Sequence, residues 1–103
     1  MVGFGKEFKN KKQKITKDEN RNKEKIIHQA FLLHSQGNIK EALKNYKYCI
    51  DIGVKDDRIY SNYGLILKSF GNVKQAEKLL RKAIEINPNS DTAHTNLGTI
   101  LKN

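Results

Sequence analysis

One hundred and three residues with a single cysteine bound this chain to one small domain without an internal disulfide. A hydrophobic content of 37% and a mean hydropathy of −0.73 leave no apolar run long enough for a signal peptide or a spanning helix. The formal charge of +9 is uneven: residues 1–25 carry +5 and residues 26–103 carry +4. Val2 stands where an N-myristoylation signal requires glycine. The lone thiol fits a reducing compartment, so a cytoplasmic location is expected.

In chain order, residues 1–22 are basic and polar, with Phe4 and Phe8 their only aromatics. They read as a disordered tail with a nascent helix from Lys9 on, because almost nothing in them can be buried. Such a tail is either plain solvated chain or an electrostatic arm for an acidic partner, RNA or an anionic membrane surface. From Lys23 the apolar residues recur at helical spacing, and the spacing predicts helices over 23–35, 39–51, 57–69, 73–86 and 91–102. Gly37-Asn38 and Gly71-Asn72 punctuate them, with glycine stopping one helix and asparagine offered as N-cap for the next. Gly53 and Pro88 supply the other two stops.

The stretch 57–90 carries the pattern most clearly. Ile59, Tyr60, Tyr63, Gly64, Ile66 and Leu67 mark its first helix; Val73, Ala76, Leu79, Leu80, Ala83 and Ile84 mark its second. A shift of 34 residues returns the pattern. Gly71-Asn72-Val73-Lys74 falls on Gly37-Asn38-Ile39-Lys40, Ala76 on Ala42, and Asn62-Tyr63-Gly64 on Asn96-Leu97-Gly98. Asn22, Asp56 and Ser90 precede the three units as N-cap candidates. A fixed period of helix–turn–helix units is the mark of a stacked array.

On Tyr60, Tyr63-Gly64, Gly71-Asn72, Ala76, Leu80, Ala83 and Pro88, the sequence resembles the tetratricopeptide repeat (TPR) family. The resemblance covers 23–103 as repeats 23–56 and 57–90 and a partial repeat 91–103. It implies an all-α solenoid of antiparallel helix pairs behind the tail of residues 1–22. The first unit departs from the family pattern, with Ile26 for the aromatic, Ala30 for glycine, Cys49 for alanine and Val54 for proline.

No phosphate loop, paired catalytic carboxylates or metal-ligand cluster stands in the sequence, so no enzyme, cofactor or metal is expected. His28 and His34 are six residues apart and cannot share a metal as an i, i+4 pair could. His94 stands where Tyr60 stands one unit earlier and is expected to pack. Cys49 sits at a small-residue position and reads as a buried, inert thiol.

What remains is surface. The resemblance places Glu24, Ile27, His28, Phe31 and His34 along a concave groove. Arg58, Ser61, Asn62, Leu65, Lys68 and Ser69 follow, and then Thr92, Thr95, Asn96, Thr99 and Lys102. Of these, Ile27, His28, Phe31, Arg58, Asn62, Leu65, Lys68 and Asn96 are the candidate peptide-binding residues. A carboxamide both donates and accepts, so Asn62 and Asn96 can clamp a peptide backbone, or they can serve helix packing. An asparagine ladder of this sort is known in the repeat region of O-linked N-acetylglucosamine transferases, which the groove resembles at these two positions. The carboxylate clamp of chaperone adaptors is not matched: of Ile27, Phe31, Asn62, Thr92 and Asn96 only Asn62 fits, and the cations are missing.

A protein or peptide ligand is therefore the expected partner. One alternative makes the chain the leading segment of a longer repeat-containing transferase. Another is an RNA-associated factor using the tail and the convex cations Lys74, Lys78, Arg81 and Lys82, though nucleic acid is disfavoured because no aromatic is expected to lie exposed beside them. Leu97, Gly98 and Leu101 are expected on the side of helix 91–102 where a further helix would pack, which predicts self-association through 91–103.

Overall fold

The computed structural model describes residues 17–102, and every regular element among them is an α-helix: α1 (Lys17–Ser35), α2 (Ile39–Asp51), α3 (Asp57–Ser69), α4 (Val73–Ile86) and α5 (Asp91–Lys102). Each helix packs on the next in the chain, and α3 also meets α5 directly. The first helices of the units thus form one layer and the second helices the other. This is a helical-repeat fold.

Three of the four turns are closed alike. Gly37, Gly53 and Gly71 have φ of 79°, 85° and 86°, the left-handed conformation that glycine adopts without a steric penalty. After each, the next backbone N–H reaches back to a carbonyl of the finished helix: Asn38 to Leu33 at 2.9 Å, Val54 to Cys49 at 2.9 Å and Asn72 to Leu67 at 2.8 Å. The fourth turn stops differently, with Asn87 donating to the Ala83 carbonyl at 2.8 Å before Pro88.

Helix starts are less uniform than the sequence suggests. The Asp56 carboxylate caps α3 by accepting from the Arg58 backbone N–H at 2.9 Å, and Ser90 Oγ accepts from the Ala93 N–H at 3.2 Å. Asn38 and Asn72 make no side-chain cap bond; only their carbonyls accept, from Ala42 and Ala76. Asn22 caps nothing, because α1 has already begun at Lys17.

That early start corrects part of the expected tail. Residues 1–16 lie outside the described residues, but 17–22 are helical. Asp18 and Glu19 suit the first turn of a helix, and no Gly or Pro interrupts the run to Ser35. Extending a helix already anchored by packing needs no new nucleus.

Two clusters make the core. The first joins Ile27, Ala30, Ala42, Tyr46, Cys49, Val54, Ile59 and Ile66; the second joins Leu67, Ala76, Leu80, Leu97 and Ile100. Cys49 is fully buried, and burial together with the Asp56 charge pushes its thiol pKa up, so the inert form is favoured. Leu97 therefore faces α4 rather than an outer helix, while Leu101 is 57% exposed.

Candidate peptide-binding groove

A pocket of about 280 Å³ opens between the first helices of the three units. Phe31 lines it from α1; Asp57, Arg58, Ser61 and Asn62 from α3; Ser90 and Thr92 from the start of α5. It is small by the standard of ligand sites and suits one or two residues of a peptide rather than a cofactor.

The side chains around it are held from behind. Tyr46, fully buried on α2, bonds two neighbours through one hydroxyl: Asn62 Nδ2 donates to it at 3.3 Å, and His34 Nδ1 lies 2.9 Å away. With His34 neutral and its proton on Nε2, the hydroxyl donates to Nδ1. The His34 and Tyr46 rings meet edge to face at 5.8 Å. Burial pushes the Tyr46 phenol pKa up, so it stays a neutral hydroxyl. One N–H of Asn62 is thus committed, and its carbonyl oxygen and second N–H remain.

Arg58 is committed as well. Its Nε and Nη2 donate to the two Asp56 oxygens at 3.0 and 2.6 Å, and its guanidinium lies 5.0 Å above the Phe31 ring. The hydrogen bond from Arg58 holds the Asp56 carboxyl below the usual carboxylate range. Asp57 Oδ2 accepts from Asn87 Nδ2 at 3.3 Å.

Three of the eight sequence candidates, Phe31, Arg58 and Asn62, come together here, with Ser61 and Thr92 from the wider set. Leu65, Lys68 and Asn96 do not line the pocket. His28 lies with Arg21, Glu24, Lys25 and Gln29 around a hollow formed by α1 alone. Ile27 is a correction: it is 4% exposed and belongs to the core cluster with Val54 and Ile59. Val54 replaces the proline of the second unit and is itself buried, which gives Ile27 an apolar neighbourhood away from the groove.

His94 is a second correction, exposed rather than packed, with Nε2 2.8 Å from the Pro88 carbonyl oxygen. Two aromatics are exposed away from α4 itself, Tyr48 on α2 at 51% and Phe70, the cap residue after α3, at 63%. The His34–Tyr46–Asn62 chain was missed altogether. Its signal was the phenol at position 46, where the second unit has Leu80.

Among the described residues, no helix is long and apolar enough to cross a membrane, and no group of three His, Cys, Asp or Glu could hold a metal. Paired helices stacked at a constant period define a helical-repeat protein. More narrowly, residues 57–90, which form α3 and α4, match the tetratricopeptide repeat family, whose repeats in general serve protein interaction. No curated protein matches the chain.

Proposed function

We propose that the chain binds an extended peptide segment of another protein along its concave groove. The observation that carries this reading is Asn62: Tyr46 holds its carboxamide through one N–H, and the residue lines a pocket built by three helices. A free carboxamide edge can pair with the C=O and N–H of a peptide without demanding a particular side chain. Asn62→Ala is expected to weaken a ligand recovered by affinity capture by about 0.5–1.5 kcal/mol in a titration, with helix content unchanged. An unchanged affinity would leave Asn62 a packing residue.

A second reading, self-association through α5, is favoured by one feature. A Cβ built on Gly98 meets nothing within 4 Å, and Leu101, one turn on, is exposed. The same side of α3 is covered by α4. A helix from a second copy would cover it here.

A further inference from the structure

The net charge of +9 hides the polarity of the groove. Asp56 and Asp57 stand at the start of α3 and Glu24 in the middle of α1, and Arg58 lies in the field of all three. Arg58 spends its charge on Asp56 through the two-pronged bond, which leaves Asp57, the carboxylate that lines the pocket, outside that ion pair. Among the described residues the side-chain partner of Asp57 is the neutral amide of Asn87. Lys68, the other cation of α3, stands ten residues further along the helix, about 15 Å away.

An independent observation comes from Ser61. It lines the same pocket, is 1% exposed, and its Oγ is the one buried side-chain polar atom without a hydrogen-bond partner among the described residues. A buried hydroxyl left unpaired is unfavourable, and a ligand group that bonds it gains what the free protein forgoes. Beside it the Asn62 carbonyl oxygen is oriented by the bond its amide makes to Tyr46. Asp57, Ser61 and Asn62, which carry a carboxylate, a hydroxyl and a carbonyl oxygen as acceptors, line one small pocket.

We infer that this pocket takes the lysine or arginine side chain of the groove peptide, an inference that rests on the groove reading above. The cation lies against Asp57, and its N–H groups donate to Ser61 Oγ and Asn62 Oδ1. An acidic side chain meets Asp57 as a like charge, and an apolar one leaves Ser61 unpaired. A basic protein thus selects a basic residue, because Arg58, the cation that lines the pocket, is already engaged by Asp56.

The test is a titration of the ¹⁵N-labelled full chain, at physiological salt, with three nine-residue Ser/Ala peptides bearing lysine, norleucine or glutamate at the centre. The lysine peptide is expected to bind at least about threefold tighter than the norleucine peptide, the scale of a partly exposed ion pair, with glutamate weakest. Amide shifts should concentrate at Asp57, Ser61, Asn62 and Thr92. Asp57→Asn and Ser61→Ala should each abolish the lysine preference while leaving norleucine binding in place. Ser61→Ala should do so without lowering the melting temperature, since it removes an unpaired buried hydroxyl. Equal affinities for the three peptides, all weakened by Asn62→Ala, would overturn the inference and leave the groove reading standing. A lysine preference that survives both pocket substitutions would overturn it too. Groove amides that respond to none of the peptides would overturn both.

Discussion

Gly64 and Gly98 stand 34 residues apart at the same place in consecutive units, and their surroundings are opposite. A Cβ on Gly64 would meet Leu80 Cγ at 3.0 Å and the Ala76 carbonyl oxygen at 3.2 Å, whereas one on Gly98 meets nothing within 4 Å. Glycine in a helix interior is unfavourable by about 1 kcal/mol against alanine. At Gly64 that cost permits a close approach of α3 to α4. At Gly98 no neighbour among the described residues uses it. The small residue is therefore demanded by the helix opposite and not by the helix that contains it.

The largest test of this contrast is a leucine at each site. Gly64→Leu is expected to destabilise by about 3 kcal/mol, because the Ala76 backbone cannot retreat as a side chain could. Gly98→Leu should leave the melting temperature unchanged or raise it by a few degrees. Thermal unfolding of the two variants side by side checks this, and equal losses would mean that α5 is covered as α3 is.

A second, smaller difference lies at the starts of the same two helices, where α3 has a carboxylate cap and α5 a neutral one. Asp56→Ala should cost about 1 kcal/mol near neutral pH, judged by denaturant titration. The Asp56 carboxyl is held below its ordinary pKa in the folded chain, so its contribution is complete above the unfolded value near 4. It is lost as pH falls through the lower folded value. The gap between wild type and Asp56→Ala should accordingly close on acidification. A gap independent of pH would assign the effect to packing.

The smallest effect is expected at the exposed end. Leu101→Lys should change monomer stability by no more than about 0.5 kcal/mol while reducing concentration-dependent self-association in sedimentation. Leu97→Lys is the wrong probe for that question, because Leu97 is core. A wild-type chain that stays monomeric at high concentration would remove the self-association reading.

These outcomes also mark what sequence alone could reach. The bounds of α2 to α5 were legible because each is fenced by residues with one local meaning: Gly37, Gly53 and Gly71 at left-handed turns, and Pro88 after α4. No comparable fence precedes Lys23, so the six extra residues of α1 read only as part of a nascent helix within the tail. The groove was legible only to the helix face. Ile27 and Phe31 are one turn apart on the same side, yet Ile27 is buried in the core with Val54, whereas Phe31 is partly buried against that core and lines the pocket. Asn62 and Asn96 look equivalent, but only Asn62 has a phenol behind it. That difference lies 16 residues upstream of Asn62, on another helix. Local punctuation reads directly from sequence, whereas contacts that cross the array need the stacking itself.

Tyr63 packs, half buried, against both core clusters. In an array whose units touch only their neighbours, cooperativity travels through the interfaces between units. Among the described residues Tyr63 is the side chain that touches both clusters, beside Ile59 and Ile66 in one and Leu67 in the other, so α3 is the element through which opening of one half is transmitted to the other. Trimming that ring is expected to make the protection of α1–α2 and of α4–α5 in hydrogen exchange less alike.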